Sequence, residues 1–202
     1  MKQTVENAIK NRIYGHGRGW TFTPKHFIDL GSAGSIRFLL YTLRKKKFIR
    51  RISQGIYDYP ANHDVLGKLS PNVDAVAKAL SEKFGFRIQP AGAHAANLTG
   101  ISEQVPGRVV FLTDGPSRKV KIVNLEISFR HTSLNNMFAA GSREALIVQA
   151  FIHMQKKHID SAVLAKAKRI LKGSTRKDFE KNLKHAPDWI RKILFDLMEN
   201  EL

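Results

Sequence analysis

The chain has 202 residues, no cysteine and a formal net charge of +17, with an isoelectric point near 10.3. The lack of cysteine excludes disulfide bonds, thiolate metal sites and a cysteine nucleophile. No apolar run approaches the roughly 18 residues of a transmembrane helix, and the N-terminus lacks the apolar core of a signal peptide, so we expect a cytoplasmic protein without a membrane partner.

The positive charge is concentrated in the first 60 residues. That segment holds 12 Lys and Arg against 3 Asp and Glu, a net charge of +9. Residues 61–130 hold 9 against 6, and residues 131–202 hold 13 against 8. A charge of this size indicates a polyanionic partner and says nothing about the fold.

The first predicted element is a helix marked by Val5, Ile9 and Ile13, which recur every four residues and therefore share one face. The segment Gly15–Trp20 ends this helix. Its G-x-G-x-G pattern follows a helix rather than a strand, so it does not predict a nucleotide-binding loop. Thr23-Pro24 is typical of an N-cap followed by proline at the first helical position, which predicts a short second helix.

A third helix follows, capped by Ser32 or Ser35. Its apolar residues fall on one face at about 100° per residue, and they are Ile36, Leu39, Leu40 and Leu43. The opposite face carries side chains that can reach phosphates and base edges. These are Ser35, Arg37, Phe38, Tyr41, Thr42 and Lys45.

A basic β-hairpin is predicted immediately after the third helix. The strand-like runs Phe48–Ile52 and Ile56–Tyr59 are joined through Ser53-Gln54-Gly55, and a turn glycine between such runs favours a hairpin. Helices followed by a basic hairpin predict a winged helix-turn-helix that binds duplex DNA. The predicted DNA-binding residues are Arg18, Ser35, Arg37, Tyr41, Thr42, Lys45, Lys47, Arg50 and Arg51.

The remaining chain predicts two further regions. Residues 61–135 show one helix near residues 72–84, a short strand, a small alanine-rich helix and three further strands, with a turn at Asp114–Ser117. Residues 136–202 are helical. We therefore expect an α+β fold: a winged helix-turn-helix at 1–60, an α/β unit with a small, mainly antiparallel sheet at 61–135, and a helical region at 136–202 packed on that unit.

Several segments together resemble one known family. They include the run Gly17–Trp20, Asp29-Leu30-Gly31-Ser32, Ile49-Arg50-Arg51, Gly55-Ile56-Tyr57, Pro71–Ala77, Gln104–Gly107, Thr113–Pro116 and Phe129-Arg130-His131. In this set the chain resembles the AbiEi-type antitoxins of type IV toxin–antitoxin systems, within a subfamily that has no assigned catalytic activity. The resemblance covers roughly residues 5–135.

The resemblance implies a DNA-binding transcriptional repressor that is not an enzyme and needs no cofactor or metal. The winged helix would bind the operator and repress its own operon. The C-terminal region would counter a nucleotidyltransferase-like toxin of the AbiEii type without forming a stable complex with it.

Two alternatives and two open questions remain at this stage. Asp114 and Glu126 are two carboxylates in the α/β unit, which would suit a metal-dependent nuclease of restriction-like type, although the expected acid-x-lysine step is absent. A non-catalytic toxin-binding module is the second alternative. The sequence leaves the oligomeric state open. It also leaves open whether the basic C-terminal helices bind nucleic acid, such as RNA; their cations are Lys166, Lys168, Arg169, Lys172, Arg176, Lys177, Lys181 and Lys184.

Overall fold

The computed structural model describes residues 4–122 and 125–199. These residues form two compact units, the first made of residues 4–85 with Ile122 and the second of residues 86–121 and 125–199. The α+β class is confirmed. No helix in the described ranges is long and apolar enough to cross a membrane.

The first unit begins with a winged helix-turn-helix. Its elements are α1 (Val5–His16), β1 (Thr21–Phe22), a 3₁₀ helix (Pro24–Phe27), α2 (Ala33–Lys45), β2 (Arg50–Ser53) and β3 (Ile56–Asp58). The strands form an antiparallel sheet in the order β1-β3-β2. The second helix is shorter than a full α-helix, since only one 3₁₀ turn follows the proline at its start.

One apolar cluster holds these elements together. Its fully buried side chains come from α1, β1, the 3₁₀ helix and α2, and they are Ile9, Ile13, Phe22, Phe27, Ile36, Leu40 and Leu43. The three from α2 lie on the face that the 3.6-residue period predicts. The core therefore fixes which face of α2 is left outside.

A second hairpin and a third helix complete the first unit. The hairpin pairs β4 (Asn62–His63) with β5 (Gly67–Lys68), and α3 spans Val73–Phe84. The Asn72 side chain caps α3 by accepting from the backbone N–H of Ala75 at 2.9 Å, and Gly85, at φ 74°, ends it. Because α3 packs on β1 and β3, the boundary predicted at residue 60 lies inside this unit.

The second unit contains a mixed four-stranded sheet. Its strands are β6 (Ile88–Ala91), β7 (Val109–Thr113), β8 (Arg118–Ile122) and β9 (Leu125–His131), in the order β6-β7-β9-β8. The β6–β7 pair is antiparallel, and the β7–β9 pair is parallel. The sequence predicts a strand over Lys119–Val123, which corresponds to β8, and Val123 lies outside the described residues.

Five α-helices accompany this sheet. They are α4 (Gly92–Leu98), α5 (Arg143–Met154), α6 (Ser161–Leu171), α7 (Arg176–Asn182) and α8 (Asp188–Glu199), with a 3₁₀ turn at Lys156–His158. Ser142 caps α5 and Asp160 caps α6, where their side chains accept backbone N–H bonds at 3.0 and 2.8 Å. Helix α5 packs on α4 and β6, so the helical region and the sheet form one unit.

Candidate nucleic-acid interface

The outward face of α2 is the main candidate surface. Ser32 caps the helix, because its Oγ accepts from the backbone N–H of Ser35 at 3.3 Å. The side chains opposite the buried stripe are exposed, and they are Ser35, Arg37, Phe38, Tyr41 and Lys45. The structure thus brings four of the predicted DNA-binding residues together on one helix face.

Two aromatic residues lie at the centre of that face. Phe38 is 66% exposed and Tyr41 is 48% exposed, which is unusual for side chains of this size. Cations lie over the Tyr41 ring, with the Arg44 guanidinium 5.3 Å and the Lys45 ammonium 5.6 Å from its centre. Phe38 was not among the predicted site residues, although its 100° phase already placed it on this face.

Thr42 differs from the other predicted residues of α2 because it is not fully exposed. It is only half-buried at the edge of the face, and its hydroxyl donates to the backbone carbonyl of Phe38 at 3.1 Å. That local bond inside the helix uses the donor that a base or phosphate would need. The exposed face keeps two hydroxyls, those of Ser35 near its start and of Tyr41.

The wing hairpin separates the two adjacent arginines of β2. Arg51 is exposed, and its guanidinium makes only a long 3.3 Å bond to the Ser53 carbonyl. Arg50 lies opposite Asp58 on β3 and donates to its carboxylate through both Nε, at 3.0 Å, and Nη2. Nη2 also donates to the Leu69 carbonyl at 3.0 Å.

The contacts of Arg50 draw it toward the protein, although it is one of the residues predicted to bind DNA. Asp58 is 2% exposed and Arg50 is 29% exposed on their side chains, so the pair is largely withdrawn from solvent. Its bonds to a carboxylate and a carbonyl use three of the five N–H donors and compensate the charge, so Arg50 offers less to a phosphate than Arg51 does. Arg51 is therefore the cation of the β2 strand that faces solvent.

The turn of the wing is supported by α3. Gly55 adopts φ 69°, a conformation that favours glycine, and the Lys83 ammonium donates to the Gln54 carbonyl at 2.6 Å. Lys25 of the 3₁₀ helix in turn donates to the Lys83 carbonyl at 2.9 Å. The C-terminus of α3 thus bonds both to the wing turn and to the 3₁₀ helix Pro24–Phe27.

Arg18 and Lys47 do not join the α2 face. Arg18 donates to the Pro60 carbonyl at 3.0 Å, and its guanidinium lies 4.9 Å from the centre of the Tyr59 ring. Lys47 follows α2 at the opposite end of the wing hairpin from the Gln54–Gly55 turn. Both residues line a separate cleft at that end.

The two carboxylates of the nuclease alternative are each paired with a cation. Asp114 accepts from both the backbone N–H and the guanidinium of Arg87, at 2.7 and 2.8 Å, and these bonds hold its pKa below the usual value. Glu126 lies 3.5 Å from the Lys119 ammonium. Within residues 4–122 and 125–199, no group of three His, Asp or Glu is placed to hold a metal ion.

The second unit also has a basic surface on α6, α7 and their flanking turns. Its exposed cations are Arg169, Lys172, Arg176, Lys177, Lys181 and Lys184, whereas Lys166 and Lys168 are half-buried. Arg176 is bound to Glu180 and Glu199 at 3.2 and 3.6 Å. Because the ion pairs of Arg176 compensate its charge, the positive charge of this surface comes from the other exposed cations.

The fold and the exposed basic helix define a protein with an N-terminal winged helix-turn-helix. The chain belongs to a family of unknown function (DUF6088), whose model matches residues 8–179. A comparison with curated proteins gives no match. Among solved structures, the chain is similar to the RV2827C protein from Mycobacterium tuberculosis, with 14% identity and a TM-score of 0.42 over 88% of this chain and 76% of that one. At these values the likeness carries no functional argument.

Proposed function

We propose that this protein is a DNA-binding transcriptional repressor that acts as the antitoxin of a type IV toxin–antitoxin system. It is not an enzyme, works in the cytoplasm, represses its own operon through an operator, and counters a nucleotidyltransferase-like toxin without forming a stable complex. One observation carries the DNA-binding part of this proposal: the exposed α2 face with Arg37, Tyr41 and Lys45.

The chemistry of this face supports reading of a major groove. An arginine can bind a guanine edge with two hydrogen bonds, and an exposed aromatic side chain such as Phe38 can pack on a thymine methyl. Lys45 and Arg51 add cations that neutralise phosphates. The capped, well-packed helix holds the backbone of this face in place, so binding has to order only its side chains.

The direct test is binding to a duplex from the region upstream of the gene, measured by fluorescence anisotropy beside a random duplex of equal length. Arg37→Ala and Tyr41→Ala should each weaken binding to the upstream duplex by about tenfold and weaken random binding much less. Lys78→Ala, an exposed lysine on α3, is the matched control and should change neither. Equal losses on both duplexes would show that the face supplies charge only.

The antitoxin part rests on the family resemblance of the sequence. It is tested by expressing the neighbouring gene with and without this protein and following cell growth. Growth arrest that this protein relieves supports the proposal, and relief should persist in the Arg37→Ala variant, whose operator binding is weakened. The proposal would be contradicted if the neighbouring product were harmless alone, or if it were neutralised by a stable complex that co-purifies with this protein.

The basic surface of the second unit supports contact with nucleic acid beyond the operator, either flanking DNA or RNA. Lys177→Gln combined with Lys181→Gln should lower the affinity for a structured RNA and leave the operator preference of the α2 face unchanged. Both measurements use the same anisotropy titration. Unchanged RNA affinity would show that these lysines face solvent and do not bind RNA.

A further inference from the structure

A cleft of about 340 Å³ lies at the open end of the wing hairpin, opposite the Gln54–Gly55 turn. We call it the hairpin-base cleft. Its lining comes from the end of α1, the loop after it, the turn after α2, the exit of β3 and the second hairpin; the residues are Tyr14, Arg18, Lys47, Phe48, Tyr59, Pro60, Asn62 and Lys68. This volume lies in the range of small-ligand sites.

The described residues that line the hairpin-base cleft carry charge of one sign. Arg18, Lys47 and Lys68 are among them, and none of them is a carboxylate. Arg18 is held in position by its bond to the Pro60 carbonyl and by the Tyr59 ring beneath its guanidinium. Since that bond uses one of its five N–H donors, the others remain for an anion.

The backbone at the cleft is held in an uncommon conformation. Lys47 has φ 58°, in the left-handed region where a helix end usually has glycine. The conformation is fixed from both sides, because Lys47 N–H donates to the Arg44 carbonyl and Phe48 N–H to the Leu43 carbonyl, at 2.9 and 3.0 Å. These two bonds are the Schellman pattern that ends a helix, here with lysine at the position that usually holds glycine, and they fix the Lys47 backbone at the edge of the cleft.

An aromatic wall faces these cations. Tyr14, Phe48 and Tyr59 contact one another pairwise, with ring centres 5.2–5.8 Å apart. Tyr14 is 56% exposed although its ring contacts the other two, so part of it remains open to a ligand. Cations beside a rigid exposed aromatic ring are the combination that binds the phosphate and the base of one nucleotide.

We propose that the hairpin-base cleft binds a nucleotide, with its phosphate among Arg18, Lys47 and Lys68 and its base against Tyr14. Side chains supply the contacts, so the site is not a glycine-rich phosphate loop. The lining residues Tyr14, Arg18 and Lys68 are not on α2, and the extended chain from Phe48 to Gln54 spans about 20 Å, so the cleft also lies far from the wing turn. The inference therefore does not rest on the proposed function.

The test is calorimetric titration of the full chain with AMP, adenosine, inorganic phosphate and a short single-stranded oligonucleotide bearing a 5′-phosphate. AMP or the oligonucleotide should bind more tightly than adenosine or phosphate, since only they fill both halves of the cleft. Lys68→Gln and Arg18→Gln should each weaken that binding about tenfold. Lys78→Gln is the charge-matched control and should bind as the unchanged protein does.

The choice of probes distinguishes a free nucleotide from the end of a nucleic-acid strand. Binding of AMP indicates a free nucleotide, and binding of the oligonucleotide alone, weakened by Lys68→Gln, indicates the end of a strand. No saturable binding of any probe at millimolar concentration overturns the proposal, as does an equal loss in Lys78→Gln. Circular dichroism melting confirms that each variant is folded. Operator binding should be unchanged in Lys68→Gln, whether or not the repressor proposal holds.

Discussion

Arg50 and Arg51 are neighbours in the sequence, but the structure gives them opposite surroundings. The pleat of β2 turns Arg50 toward the buried carboxylate of Asp58 and leaves Arg51 in solvent. Removing one partner of a largely buried ion pair leaves the other charge uncompensated, whereas removing an exposed cation costs little stability. The two arginines should therefore separate stability from DNA binding.

Arg50→Ala should lower the free energy of unfolding by about 3 kcal/mol, because the Asp58 carboxylate would stay buried without its partner. Arg51→Ala should leave stability within about 0.5 kcal/mol and flatten the salt dependence of DNA binding by about one unit of slope. Urea unfolding and anisotropy at several salt concentrations measure the two effects. A stable Arg50→Ala protein with a flattened salt slope would show that Arg50 contacts phosphate after all.

Asp114 gives stability a pH dependence. Hydrogen bonds from Arg87 lower the pKa of this carboxyl below its ordinary value of 3.8. A lowered pKa stabilises the fold at pH above that ordinary value, and this contribution is lost as the pH falls through the lowered pKa. Asp114→Asn should cost about 1 kcal/mol at pH 7, and the gap in unfolding free energy from the unchanged protein should begin to narrow below about pH 4. Urea titrations at pH 7, 5 and 3 test this; a gap that is constant down to pH 3 would contradict it.

At the scale of elements, the end of α2 is less stable than it need be. A non-glycine residue in the left-handed conformation costs about 1–2 kcal/mol, and Lys47 bears that cost. Lys47→Gly should raise the free energy of unfolding by about 1 kcal/mol and weaken nucleotide binding in the hairpin-base cleft. Thermal melts and calorimetry measure both changes. Lys46→Gly, one residue earlier at φ -71°, is the control and should destabilise.

Local patterns predicted most of the elements, because their causes are local. The period of Ile36, Leu40 and Leu43 fixes the α2 face, and side-chain caps fix the starts of α3, α5 and α6. The adjacency of β7 and β9 was not predictable in this way, since strand order depends on contacts distant in sequence. The partner of Arg50 depends on hairpin register, which a bulge between Arg51 and Ser53 shifts.

At the scale of the whole chain, the first unit extends to Gly85 because α3 packs on β1 and β3. The amphipathic pattern of α3 shows that one face is buried, but it does not show which element covers that face. A fragment of residues 1–85 should unfold cooperatively and keep operator binding, whereas residues 1–60 should be markedly less stable. Thermal melts of both fragments make the comparison, and equal melting temperatures would place the boundary at 60.

The order of strands in the second unit has a consequence for synthesis. A tight turn joins β7 to β8, yet β9 lies between them in the sheet. A hairpin of β7 and β8 would not be native, because β9 lies between these strands in the sheet. After β7 and β8 leave the ribosome, each therefore keeps an unpaired edge until Leu125–His131 has been synthesised. Unpaired strand edges favour aggregation of nascent chains, so the second unit is exposed to that risk until β9 has been synthesised.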